Sequence, residues 1–185
     1  MTPMWSIAGT LDVHPVAERS DLLAEVVAEV VATLDAEIVA SIGVAEIDPE
    51  LADTAAFCER YGSPLEASAN CVVVAGKRSG ELRYAGALVL ATTRADVNGV
   101  LRRRLDARKA SFAPMADAVT LTGMEYGGIT PIGLPDGWPV LIDSAVAAAP
   151  ELVIGSGIRR SKLLVPGDVL AKLPAAEVLD DLARS

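Results

Sequence analysis

Apolar positions in the first third of the chain recur at helical spacing, whereas beyond residue 70 they fall into short runs broken by glycine and proline. Leu22, Leu23, Val26, Val27, Val30, Val31 and Leu34 repeat every three or four residues. That spacing predicts one amphipathic helix over 20–34, with Ser20 as its N-cap. The stretch 37–47 alternates only in part, through Ile38, Ala40, Ile42 and Val44, and leaves its structure open. Asp53 reads as the cap of a further helix that stops before Gly62, and Ser63-Pro64 follows as a break.

The later runs predict strands at 71–75 and 82–91, joined through Gly76-Lys77-Arg78-Ser79-Gly80 as a hairpin. A helix over 96–105 turns an arginine-rich face outward. A short strand over 109–113 and a helix over 116–122, ended by Gly123, come next. A Gly/Pro loop then occupies 123–139. Strands are expected at 140–142, 152–154 and 162–165, and helical turns after Pro166-Gly167-Asp168 and over 175–182. Strands separated by unequal helices and loops point to a mixed-sheet α/β (α+β) fold rather than regular βαβ winding. With no repeat or flexible linker, the chain divides into an N-terminal extension, 1–52, and one domain, 53–185. The extension's helix is expected to pack on that domain.

Composition supports one packed core. The chain has 185 residues, 51% of them hydrophobic, but only 4% aromatic, so Val, Ile, Leu and Ala must fill the interior. No apolar run approaches the ~20 residues of a membrane helix, and no basic-then-apolar leader opens the sequence. Two cysteines, Cys58 and Cys71, fit a reducing compartment, and the expected location is cytoplasmic. The net charge of −9 argues at first against a nucleic-acid partner. Its distribution alters that. Residues 1–69 hold 13 acidic and 2 basic side chains, and residues 70–185 hold 12 acidic and 14 basic. The basic groups cluster as Lys77, Arg78 and Arg83, then Arg102 to Arg104 with Arg108 and Lys109, then Arg159, Arg160 and Lys162. An acidic protein can therefore still carry a local anion-binding face.

Familiar catalytic constellations are scarce. His14 is the sole histidine and lies in the acidic segment, so no His-dependent triad is indicated. Cys58 and Cys71 lack the spacing of a zinc site. Gly76-Lys77-Arg78-Ser79 puts arginine where a phosphate loop needs Ser or Thr, and Gly155-Ser156-Gly157 is too short for a dinucleotide fingerprint. What remains is 123–133, where Gly123, Gly127, Gly128, Pro131 and Gly133 fall within eleven residues. This is either an ordinary turn-rich connection or a place where backbone comes close to a ligand and aims peptide groups at it.

Several segments in order carry a resemblance. They are Asp53-Thr54-Ala55-Ala56, Ser68-Ala69-Asn70-Cys71-Val72-Val73-Val74, Leu121-Thr122-Gly123, and the Gly127-Gly128-Ile129-Thr130-Pro131-Ile132-Gly133 loop. Ile142-Asp143-Ser144, Gly155-Ser156-Gly157 and 163–170 follow. Together they resemble the YbaK/ProX family of aminoacyl-tRNA editing domains, which includes the domain inserted in bacterial prolyl-tRNA synthetases and free-standing relatives. The resemblance implies a curved mixed β-sheet flanked by helices around a small pocket. It also implies hydrolysis of the ester joining a wrong amino acid to tRNA, with no metal and no cofactor. Asn70, Gly127 and Gly128 become the candidate catalytic positions. Thr122, Ile129, Thr130, Asp143, Gly155, Ser156 and Gly157 become candidates for holding substrate. Arg102, Arg103, Lys109, Arg159 and Arg160 become candidates for the tRNA backbone. The implied partner is aminoacyl-tRNA rather than DNA or a membrane, with an aminoacyl-tRNA synthetase as a candidate protein partner. One position departs from the pattern: Asn70 stands where the family usually has a lysine. That substitution keeps hydrogen-bond donors but removes a charge, and it admits an alternative, a member with weak or no hydrolysis that binds aminoacyl-tRNA or an adenylate-like ligand.

Overall fold

The computed structural model describes residues 5–185, so the first four residues of the N-terminal segment lie outside it. The N-terminal part forms β1 (Val13–Pro15), α1 (Glu25–Val31), α2 (Ala36–Ala40) and β2 (Gly43–Glu46). Then come α3 (Thr54–Tyr61), the hairpin β3 (Ala69–Arg78) and β4 (Glu81–Leu90), and the short β5 (Arg94–Ala95). A π-helical turn, Val97–Leu101, runs into α4 (Arg102–Arg104), followed by β6 (Lys109–Phe112) and α5 (Met115–Thr122). The rest is β7 (Val140–Asp143), α6 (Ser144–Ala147), β8 (Leu152–Gly155), β9 (Ser161–Val165), α7 (Gly167–Leu170), β10 (Ala176–Leu179) and β11 (Ala183–Arg184).

These strands make two main sheets. A mixed five-stranded sheet has the order β10-β7-β4-β3-β6, in which β10, β7 and β4 are parallel neighbours and β3 is antiparallel to both β4 and β6. An antiparallel four-stranded sheet has the order β1-β2-β9-β8. Ser68, just before β3, bridges to Val153 of β8 and stitches the sheets together. The β3–β4 hairpin closes through Ser79 and Gly80, both at positive φ, which is the signature of a tight two-residue turn. The strands therefore run through Lys77 and Arg78 instead of stopping at Ala75.

The N-terminal segment is woven into this body. β2 lies between β1 and β9, and Leu22, Val27, Val31 and Ile42 share one buried cluster with Leu88, Ile142, Ile154 and Leu163. A second cluster covers the other face of the five-stranded sheet, with Val74, Ala87, Leu101, Leu105 and Leu141. A third joins Phe57, Ala52 and Ile47 to Val153 and Leu164.

Three elements differ from the pattern-based expectation, two because tertiary hydrogen bonds outweigh local periodicity and one because a side chain caps its own turn. The helix over 20–34 is split: Ser20–Leu22 is a single 3-10 turn, Leu23 is extended, and α1 is capped at Ala24, not Ser20. The main chain is held there by Ser161 Oγ donating to the Leu22 carbonyl and by Ala24 N–H donating to Ser156 O. Asp96 begins its turn by accepting from Gly99 and Val100 N–H, so the arginine helix starts as a π-turn. Residues 175–182 are not helical. β10 instead supplies the pairing that the edge of β7 would otherwise lack, with Val178 opposite Ile142.

Candidate active site

A cavity of about 500 Å³ opens where the two sheets meet. Its floor is apolar: Ala69 and Val73 of β3, Val153 and Ile154 of β8, and Ala118 of α5. Its polar wall comes from Thr54, Ser68, Asn70, Gly127, Gly155 and Lys162. Phe112 and Tyr126, 58% and 53% exposed, flank it from β6 and the glycine loop.

The glycine loop reaches the cavity because it is zipped to the turn after β8. Glu125 N–H donates to Gly157 O (2.8 Å), and Gly157 N–H donates to Gly128 O (2.7 Å). A Cβ at Gly155 would lie 2.5 Å from Gly128 O and 2.7 Å from Ile129 O, so only glycine lets strand and loop approach this closely. Gly127 sits at φ +88°, and a Cβ there would meet Arg159 Nη1 at 2.3 Å. That guanidinium is a strap over the loop. Its Nη1 donates to Tyr126 O, its Nε donates to Pro49 O, and Asp53 lies at 4.0 Å.

Asn70 is exposed on β3, opposite Val89, and its Oδ1 accepts a hydrogen bond from Thr54 Oγ1 (3.0 Å). On the other side of the cavity Lys162 rises from β9, only 8% exposed. Its Nζ donates to the Ala52 carbonyl at 2.8 Å and stands 5.4 Å from the centre of the Phe57 ring. Burial, and next the charge of Arg159, push its pKa down to about 8 against the smaller pull of Asp53 and Cys58. Cys71 also lines the cavity, but desolvation pushes its thiol up to about 12, so no thiolate nucleophile is available near neutral pH. Among the described residues no group of three or more His, Cys, Asp or Glu side chains is placed to hold a metal ion.

The structure thus gathers Asn70, Gly127, Ile129 and Gly155 around one cavity. The other sequence-derived candidates stand behind it. Gly128 builds the loop through its carbonyl. Thr122 Oγ1 donates to Ala118 O and accepts from Met124 N–H, closing the end of α5. Asp143 caps α6 by accepting from Ala145 N–H and also accepts from Ala183 N–H. Ser156 is fully buried against Ser161 (Oγ to Oγ, 2.6 Å), and Gly157 is the turn that faces Ala24. Thr130 is fully buried, with its Oγ1 unpaired. Of the basic candidates, only Arg159 adjoins the cavity mouth. Arg160 ties down the Asp21 carbonyl (2.7 Å). Arg102 and Arg103 lie on α4, whose neighbours Leu101 and Leu105 pack on the sheet face opposite the cavity, and Lys109 pairs with Lys77 at the far end of β3. Thr54, Ser68 and Lys162 line the cavity without standing among the sequence-derived candidates, and in the sequence Lys162 clusters with Arg159 and Arg160. The signal was present: in Lys162-Leu163-Leu164-Val165 a strand period of two puts Lys162 on the same buried face as Leu164.

The Aminoacyl-tRNA editing domain family profile matches residues 48–173, about two-thirds of the chain. The chain belongs to the aminoacyl-tRNA editing domain family. Comparison with curated protein sequences finds no match. Among solved structures this editing domain is similar to one described as a candidate trans-editing enzyme for prolyl tRNA synthetase, at 21% identity and a TM-score of 0.69. That alignment covers 85% of this chain and 97% of the other. It is also similar to a scaffold used for grafting linear epitopes (21% identity, TM-score 0.70, 85% and 95% covered). A further match is a hypothetical protein (17%, TM-score 0.66, 76% and 90% covered). At these identities the structures establish a shared fold. The mixed α/β architecture is that of YbaK-like editing domains, and the family's substrate is aminoacyl-tRNA. No helix among the described residues is long and apolar enough to cross a membrane.

Proposed function

We propose that this editing domain is a free-standing hydrolase that deacylates mischarged tRNA in trans. The observation that carries this reading is the cavity itself. Its ~500 Å³ has an apolar floor fit for a small side chain, and the backbone of Gly127 and Gly155 in its wall can face an ester. The aminoacyl group enters side chain first, and the terminal ribose stays at the mouth near Asn70, Thr54 and Arg159. Water attacks the ester carbonyl while peptide dipoles and polar side chains hold the oxygen that gains charge. Because the floor is closed by Val73, Val153 and Ile154, selectivity rests on side-chain volume. On this reading Asn70, Gly127, Ile129 and Gly155 touch the aminoacyl ester, and Arg159 neutralises a phosphate near the mouth. The protein acts in the cytoplasm, where charged tRNA is used, and a synthetase is its natural protein neighbour.

Incubating the protein with tRNAs charged with Ala, Ser, Thr, Cys and Pro tests this directly. Release of the amino acid above the buffer rate is expected for at least one of them; no release from any sinks the proposal. The second reading, a module that binds aminoacyl-tRNA without cutting it, draws on Asn70, which is neutral and already engaged by Thr54. It requires measurable binding, no turnover, and recovery of hydrolysis in Asn70→Lys.

A further inference from the structure

Two charged side chains line the cavity, and they differ in kind. Asp53 is on the rim with its side chain 81% exposed, where water already solvates it. Lys162 is enclosed, and only one of the three ammonium donors has a hydrogen-bond acceptor, the Ala52 carbonyl. Keeping a lysine there costs the fold desolvation energy that one hydrogen bond and a Phe57 ring do not return. A leucine or methionine would fit the same buried face, next to Leu164, with no such cost. A lysine on a cavity wall that the scaffold does not need calls for a ligand that does.

Resting on the reading of the cavity as an ester-hydrolysing site, we propose that Lys162 is a catalytic residue whose ammonium donates to the ester carbonyl oxygen and holds its negative charge as water adds. Water oxygen bonds to the carbonyl carbon, and the π pair moves onto the oxygen facing Nζ. When that adduct collapses, the bond from carbon to the ribose oxygen breaks. The proton lost by the attacking water ends on the ribose oxygen, leaving a free hydroxyl and an amino-acid carboxyl group. Lys162 keeps its proton throughout. The position suits this role: Gly155 is the Cα partner of Lys162 across β8 and β9, so the ammonium stands beside the strand residue against which the glycine loop packs. The charged and titratable groups packed around the ammonium are Arg159 from the loop, Asp53 before α3 and Cys58 on α3. Glu46, on neighbouring β2, is exposed.

The test compares the full chain with Lys162→Met and Lys162→Gln, using whichever charged tRNA of the panel the parent cleaves. Single-turnover rate, affinity for the same tRNA and melting temperature are read together. Gln keeps a donor for the Ala52 carbonyl but carries no charge. The expected result is a ~100-fold loss of rate in both variants, the range for removal of one oxyanion donor, with affinity near that of the parent and a melting temperature no lower than the parent's. The parent-to-variant rate ratio should also fall as pH rises through about 8, where the ammonium loses its proton. Variants that cleave at the parent rate overturn the role of Lys162 while leaving the hydrolase reading intact. Rates that fall only in step with lost binding or melting temperature overturn it too, in favour of a scaffold role. A parent inert towards every charged tRNA overturns the hydrolase reading and this role with it.

Discussion

Individual side chains in the cavity are placed by contacts that sequence spacing does not reveal. Lys162 has the clearest physical consequence. Its folded-state pKa is depressed to about 8 from 10.5, so between those values the unfolded chain binds more protons than the folded one. Stability must therefore rise with pH across that window, by on the order of 3 kcal/mol in full. Below pH 8 both states are protonated and the cost of burial stands. Urea unfolding of parent and Lys162→Met from pH 7 to 10 should show the parent gaining on the variant as pH rises; parallel curves would contradict it. Gly127 is a second such position. Its φ of +88° and the 2.3 Å approach of Arg159 mean that Gly127→Ala strains the backbone and pushes the guanidinium off the loop. A stability loss of about 1–3 kcal/mol, measured by denaturant midpoint, should accompany a slower deacylation rate. Arg159→Ala should lower the rate in the same way by freeing the loop from Pro49 and Tyr126. The glycine pair itself was conspicuous in the sequence. Which group the glycine makes room for was not.

At the scale of elements, the short strands around a mixed sheet were legible because each is a compact apolar run with Gly or Pro beside it. α3 and α5 were as well, and both end on a left-handed glycine, Gly62 and Gly123. The failures share a cause. Residues 20–34 have helical periodicity throughout, yet Ser161 and Ser156 pull the main chain at Leu22 and Ala24 out of the helix. The segment 175–182 was expected to form helical turns, and pairing along the vacant edge of β7 made it strand β10 instead. The weaving of the N-terminal segment has its own consequence. With β2 hydrogen-bonded along β9, and Val27 and Ile42 fully or almost fully buried, a chain lacking residues 1–48 would expose the edge of the strand that carries Lys162. Such a truncation is expected to lose its cooperative thermal transition in circular dichroism. Leu22→Ala, which leaves the sheet intact but opens a cavity beneath α1, should cost about 2–5 kcal/mol.

For the molecule as a whole, function rests on how two sheets meet. The cavity exists because Ser68 bridges to Val153 while the glycine loop folds over the junction, leaving a closed apolar floor and an open mouth. The deacylation rate should therefore fall at least ~10-fold from alanyl or seryl esters to phenylalanyl esters, and equal rates would show that the floor sets no limit. The sequence by itself determined the fold class, because short apolar runs and glycine-terminated helices are local signals. It determined the family as well, because an ordered set of motifs survives where overall identity is low. Only the tertiary structure decided which motif residues line the cavity, since Thr122, Asp143 and Ser156 satisfy backbone and side-chain partners behind the wall. It also decided that Lys162 does line the cavity. Burial and the position of a charge within a cavity depend on contacts between segments far apart in the chain, here β9, the segment before α3 and the Phe57 ring. Spacing along β9 puts Lys162 on the face of Leu164, but it does not encode that a cavity lies against that face.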